Sequence, residues 1–171
     1  MKDDFYMPKK LKYTYYFNSI YDIPFDFFSK ITKKVIFADL DNTLVGDEVR
    51  ERPLAFDRWY AELNNHDIKL FIISNNRHNK RISEFIGDLP IIWYGKAHKQ
   101  DGIIFDKVIK EHNLKVEDII IIGDRLLTDI IGANKANLPS ILVAPIIKDR
   151  NPLIRHLVRP FETIFIRKKE V

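Results

Sequence analysis

Val35-Ile36-Phe37-Ala38-Asp39-Leu40-Asp41-Asn42-Thr43 is the stretch whose reading decides the fold. A short apolar run of this kind suits a buried strand, and it delivers two carboxylates, two residues apart, to the point where the chain must leave a sheet. Parallel sheets place their ligand sites at those carboxyl ends. One carboxylate there can attack phosphorus while the other moves a proton. Alone, the pair reads equally well as a turn or a helix start, where aspartates are common.

Further apolar runs rich in β-branched residues occur at 68–73, 90–93, 119–122 and 140–144. Between them lie segments of helical spacing: 54–64, with Pro53 placed for a helix start; 77–86, closed by Gly87; 102–112; and 126–136. Strands alternating with helices predict a parallel sheet with right-handed crossovers. The fold class is α/β, a three-layer Rossmann-like domain with a five-stranded parallel sheet.

Composition bounds the chemistry. The 171 residues fit one domain, and 46% hydrophobic with 30% charged residues is ordinary for a globular protein. There is no cysteine, so disulfides, thiolate nucleophiles and cysteine-held metals are excluded. The five histidines form no close metal-spacing pair. No apolar stretch reaches the roughly 18 residues of a membrane span, and the start lacks a secretory or transit pattern. The expectation is a cytoplasmic protein.

The net charge of +4 is unevenly spread. Residues 1–33 form an aromatic and basic N-terminal arm, 34–147 the core, and 148–171 a basic C-terminal arm. Ten of the twenty-one aromatics precede residue 30, interleaved with Lys9, Lys10, Lys12 and Lys30. Leu153, Leu157, Phe161 and Ile164 recur at helical spacing, with Arg155 and Arg159 on another face and Pro160 placed to kink the helix. The arms either pack over the sheet edges or contact an anionic membrane surface. No nucleic-acid-reading module is present.

Each strand end carries a polar signal. Asp39 to Thr43 end the first strand, Ser74-Asn75-Asn76 the second, Lys96 and Lys99 follow the third, and Gly123-Asp124 end the fourth, with Asp129 five residues on. Four such endings, each about one βα unit apart, select a site over the turn reading. A phosphomonoester dianion repels an anionic nucleophile, so its charge must be neutralised before Asp39 attacks. Mg²⁺ takes carboxylates plus substrate oxygen and water, and Asp39 and Asp124 offer them from neighbouring strand ends. Ser74 and Asn75, with nearby backbone N–H groups, are placed to hold phosphoryl oxygens, and Lys99 to offset their charge. Asp41 is placed to protonate the leaving alkoxide and then activate water. Thr43 would orient the loop.

Together these residues resemble the haloacid dehalogenase (HAD) superfamily of Mg²⁺-dependent aspartyl-phosphate phosphatases. The resemblance implies that Asp39 is nucleophile and metal ligand, that Asp41 is acid/base and lends a backbone carbonyl to the metal, and that Asp124 is a further ligand. Asp129 would support the metal's water shell or the neighbouring lysine. A closer resemblance covers nearly the whole chain. Ser19 to Ile23, Asp39 to Leu44, Ile73 to Asn76, Lys96-Ala-His-Lys99 and Gly123 to Asp129 look like the YqeG family, a HAD subfamily IIIA group similar to the mitochondrial phosphatidylglycerophosphate phosphatases. Lys99 is then the motif lysine, with Lys96 as second candidate. Gln100 stands where that family has proline, and Arg125 where it often has glutamine, either to touch substrate or to pair with a surface acid.

Only 30 residues separate Thr43 from Ser74, and 24 separate Ser74 from Lys99, which leaves no room for a cap domain. An open site suits a substrate too large to enclose. The basic, aromatic arms and the resemblance both point to a lipid headgroup, with hydrolysis of phosphatidylglycerophosphate to phosphatidylglycerol at the inner face of the membrane. A phosphoprotein, sugar or nucleotide phosphatase is the alternative of the same chemistry. A non-catalytic RNA- or ribosome-associated assembly factor is the alternative of another class.

Overall fold

The structure is a computed structural model that describes residues 11–147 and 154–158, together with Pro160, Glu162 and Ile164. The strands are β1 (Tyr15–Phe17), β2 (Val35–Ala38), β3 (Lys69–Ile73), β4 (Ile92–Tyr94), β5 (Ile119–Gly123) and β6 (Ser140–Val143). They form one sheet in the order β1-β6-β5-β2-β3-β4, and every neighbouring pair is parallel. The helices are α1 (Phe25–Lys30), α2 (Leu54–Asn65), α3 (Asn79–Ile86), α4 (Ile103–Glu111) and α5 (Ile131–Lys135).

Strand alternation builds the three layers. Ile36 and Ala38 of β2 face one way with Leu70, Ile72, Ile120 and Ile122, against Phe56, Trp59 and Leu63 of α2 and Ile82, Phe85 and Ile86 of α3. Val35 and Phe37 face the other way with Phe71, Ile73, Ile119 and Ile121, against Phe105 and Val108 of α4 and Ala133 of α5. The central strands β2 and β5 are buried on both faces, which is why they read as unbroken apolar runs.

Two expectations need correction. The sheet has six strands, not five, because Tyr15–Phe17 adds to the edge as β1 and pairs with Ile141–Val143. Two tyrosines and a phenylalanine carry no clear alternation, so only the tertiary pairing reveals this strand. Its aromatics turn inward: the rings of Tyr15 and Phe17 stand edge-on to Phe27, at 5.0 and 5.2 Å between centroids. The single helix expected over 126–136 is also divided, into a π-helical turn (Leu126–Ile130) followed by α5.

At the far end Ile154–Val158 forms a second π-helical turn. Leu157 and Ile164 are 63% and 62% exposed, so they do not form a core-facing stripe. Lys9, Lys10, Leu153, Arg159 and Phe161 lie outside the described residues, as do the rest of 1–10 and 148–153, position 163 and 165–171. No helix among the described residues is long and apolar enough to cross a membrane.

Candidate active site

The carboxyl ends of β2, β3 and β5 converge on a cavity of about 180 Å³ lined by Asp39, Asp41, Ser74, Asn75, Asn76, Lys99, Arg125 and Thr128. Adjacency in the sheet does the assembling: β2 lies between β3 and β5, so Asp39, Ser74 and Asp124 emerge side by side. The backbone N–H of Asp39 donates to Ile122 O at 2.9 Å and extends the ladder to the site itself. Beyond it the chain coils tightly around Leu40, whose carbonyl accepts from Leu44 and Val45, with Asn42 at φ +66°.

Asp39, Asp124 and Asp129 each place a carboxylate oxygen within 4.8 Å of the others. Lys99 enters this group with Nζ 2.6 Å from Asp39 Oδ1 and 2.5 Å from Asp129 Oδ1. All four residues are buried. Burial pushes Asp39 up to about 7, with Lys99 opposing the rise and Asp129 and Asp124 adding to it. For Lys99 burial acts downward, but Asp129 and Asp39 outweigh it and hold the ammonium above its ordinary range. Three carboxylates against one ammonium leave an excess of negative charge in a water-poor pocket. An all-oxygen donor set with that excess fits a hard divalent cation.

Close approach at two glycines permits the cluster. A Cβ on Gly123 would stand 2.2 Å from Asp129 Cγ, and one on Gly132 would stand 2.0 Å from the carbonyl oxygen of Lys99. The Asp129 carboxylate folds back within its own turn and accepts from Arg125 N at 3.1 Å. That local bond replaces regular helical packing and accompanies the π-helical turn at Leu126–Ile130.

The other site residues fall into place around this cluster. Thr43 Oγ1 donates to Asp124 Oδ1 at 3.3 Å, so it braces a metal-candidate carboxylate. Ser74 is buried, with Oγ accepting from Asn76 N at 3.1 Å. Asn75 lines the cavity, but its Oδ1 accepts from Lys99 N at 2.9 Å and its Nδ2 donates to Gln100 Oε1 at 3.2 Å. Gln100 therefore staples the lysine turn. Lys96 is exposed, and Lys99 is the lysine whose ammonium meets the cluster. Asp41 turns away from the three other aspartates, toward α3.

Residues 94–160 match the family model described as HAD-hydrolase-like. The Bacillus subtilis (strain 168) protein named Probable phosphatase YqeG is 41% identical over 116 residues, which span 66% of this chain and 65% of that protein. The match thus covers a little under two thirds of the relative's own length. Over that stretch the chain is similar to YqeG. Among solved structures, the cobalt-bound deoxy-D-mannose-octulosonate 8-phosphate phosphatase of Haemophilus influenzae superposes with a TM-score of 0.53 at 17% identity, over 68% of this chain and 72% of that one. The 3-deoxy-D-manno-octulosonate 8-phosphate phosphatase of Yersinia pestis gives 0.51 at 17% identity, over 81% and 77%. At such identities the likeness is one of fold, an α/β fold with a parallel sheet shared with these phosphatases.

Two residues of this site were assigned no role by the sequence reading. Arg81, on α3, puts Nε 2.6 Å from Asp41 Oδ1. Asn76 Nδ2 donates to Asp41 Oδ2 at 2.8 Å. Asn76 could have been found from its place beside Ser74 at a strand end. Arg81 could not, since a helical arginine forty residues from Asp41 has no distinguishing local pattern.

Proposed function

We propose that the chain is a Mg²⁺-dependent phosphomonoester phosphatase working through an aspartyl-phosphate on Asp39, with phosphatidylglycerophosphate as substrate. The observation that carries the chemistry is the buried cluster of Asp39, Lys99, Asp124 and Asp129 at the foot of a cavity that Asp41 and Ser74 also line.

In this reading an Asp39 carboxylate oxygen attacks phosphorus while the bond from phosphorus to the leaving oxygen breaks. Asp41 gives its proton to that oxygen, then takes one from the water that hydrolyses the aspartyl-phosphate. Ser74 Oγ and Lys99 Nζ hold the phosphoryl oxygens. Asn75 acts through the lysine turn, and Arg125, lining the cavity, faces the rest of the substrate. Asp39, Asp124 and the carbonyl of Asp41 would hold Mg²⁺, with Asp129 in support. The ion supplies charge neutralisation at the phosphate.

Support for a lipid headgroup comes from the entrance. The connections after β2 and β3, residues 39–53 and 74–78, carry no inserted domain over the cavity. A space of about 180 Å³ takes a phosphate and its nearest atoms while the remainder of the substrate stays outside. Release of phosphate from phosphatidylglycerophosphate in mixed micelles, an octulosonate phosphate, an aryl phosphate and a phosphopeptide, each with and without Mg²⁺, tests the reading. Hydrolysis of only the non-lipid esters sinks the lipid substrate. Full activity in Asp39→Asn sinks the mechanism.

A further inference from the structure

Arg81 commits three guanidinium nitrogens to two separate pieces of chain. Nε lies 2.6 Å from Asp41 Oδ1, Nη2 donates to Gly46 O at 2.9 Å, and Nη1 donates to Val49 O at 2.8 Å. Gly46 and Val49 are the two ends of one turn, closed by Val49 N donating to Gly46 O at 3.0 Å. The arginine therefore grips both ends of the turn that follows the aspartate loop, and the aspartate itself. The second Asp41 oxygen is taken by Asn76, whose own Oδ1 accepts from His78 N at 2.8 Å just before α3. Both oxygens of the carboxylate are thus tied to the start of α3. The pair is partly buried, its side chains 17% and 21% exposed, so solvent does not readily replace these bonds. A planar fork satisfies three acceptors at once, which a lysine ammonium on the same stem does not reproduce.

We infer that Arg81 is a positioning residue for proton transfer: it holds the Asp41 carboxylate at the wall of the cavity and locks the turn at 46–49 to α3, so the acid/base and the mouth of the site are set by one side chain. The inference rests on the phosphatase reading for the role of Asp41. Arg81 itself exchanges no proton. Asp41 protonates the leaving oxygen as its bond to phosphorus breaks, and the arginine stays outside every bond change.

The test compares wild type, Arg81→Lys and Arg81→Ala on esters of different leaving ability. The parameter kcat/KM reports steps up to cleavage, and a poor leaving group needs the proton where a good one does not. Expected is a loss of at least about 10-fold for an alkyl phosphate in both variants, against less than about 3-fold for p-nitrophenyl phosphate. In the same samples amide hydrogen exchange should quicken across 46–52 while β5 stays protected, which also establishes that the variants are folded. An equal loss on both esters overturns the proton-transfer role, and unchanged exchange at 46–52 overturns the lock. If wild type cleaves neither ester nor phosphatidylglycerophosphate, the phosphatase reading fails, and the exchange result alone decides whether Arg81 holds the turn.

Discussion

Lys99 Nζ lies 2.6 Å from Asp39 Oδ1, a buried ion pair between the lysine turn after β4 and the end of β2. The same ammonium also meets Asp129, so a single cation restrains two of three clustered carboxylates. Removing one partner of a buried pair costs about 3–5 kcal/mol, because the remaining charge stays desolvated. Lys99→Met is therefore expected to lower the melting temperature of metal-free protein, with divalent cation restoring part of the loss. Phosphate release should fall by at least about 100-fold. Melting curves and initial rates check this; a variant with wild-type rates would separate Lys99 from the chemistry.

Burial pushes Asp39 up to about 7 despite Lys99, whereas an aspartate in the unfolded chain titrates near 4. The folded, metal-free protein thus keeps a proton that the unfolded chain releases. Stability from this group falls as pH rises from about 4 through about 7, by on the order of a few kcal/mol. Lys99 is shifted upward, so its contribution is lost only above the ordinary lysine range and leaves this window untouched. A cation competes with the proton on Asp39. The gain in melting temperature on adding Mg²⁺ should accordingly be larger at about pH 8 than at about pH 5. A gain independent of pH would argue that the ion binds elsewhere.

Strand ends were legible because buried parallel strands announce themselves as apolar runs, and the residues that follow must then sit on one edge of the sheet. That logic predicts Asp39, Ser74, Lys99 and Asp124 on one edge; Asp39, Ser74 and Lys99 line one cavity, and Asp124 stands beside Asp39. It failed where tertiary contacts outrank local pattern. β1 pairs at an edge through three aromatic residues. Glu162, buried near the end of the chain, accepts from Leu127 N at 3.0 Å and so reaches the metal-candidate turn across thirty-five residues. Arg81 meets Asp41 only because α3 begins beside the end of β2. None of these leaves a periodic trace in sequence.

Asn75 and Gln100 make a smaller prediction. The Asn75 amide holds the lysine turn by Lys99 N and Gln100 Oε1 and donates nothing further among the described residues. Asn75→Ala should leave substrate binding nearly intact while lowering kcat about 10-fold, since the ammonium is displaced while the cavity keeps its other walls. Gln100→Ala removes one of the two bonds and should cost less. A rise in KM without change in kcat would instead place Asn75 on the substrate.

Glycine positions separate tight packing from mere turn chemistry. In Gly132→Ala the new methyl would stand 2.0 Å from the Lys99 carbonyl oxygen, a backbone atom, so α5 and the lysine turn must part. Overpacking of this kind typically costs about 1–3 kcal/mol, and more when backbone is the obstacle. Here the displaced element carries Lys99, so activity and melting temperature should drop together. Gly46→Ala makes the useful contrast. Its methyl would stand 3.2 Å from the end of the Ile147 side chain, which can rotate away. That variant should lose little stability and little rate. Equal damage at both positions would mean that the closeness of α5 to the lysine turn is not what the site depends on.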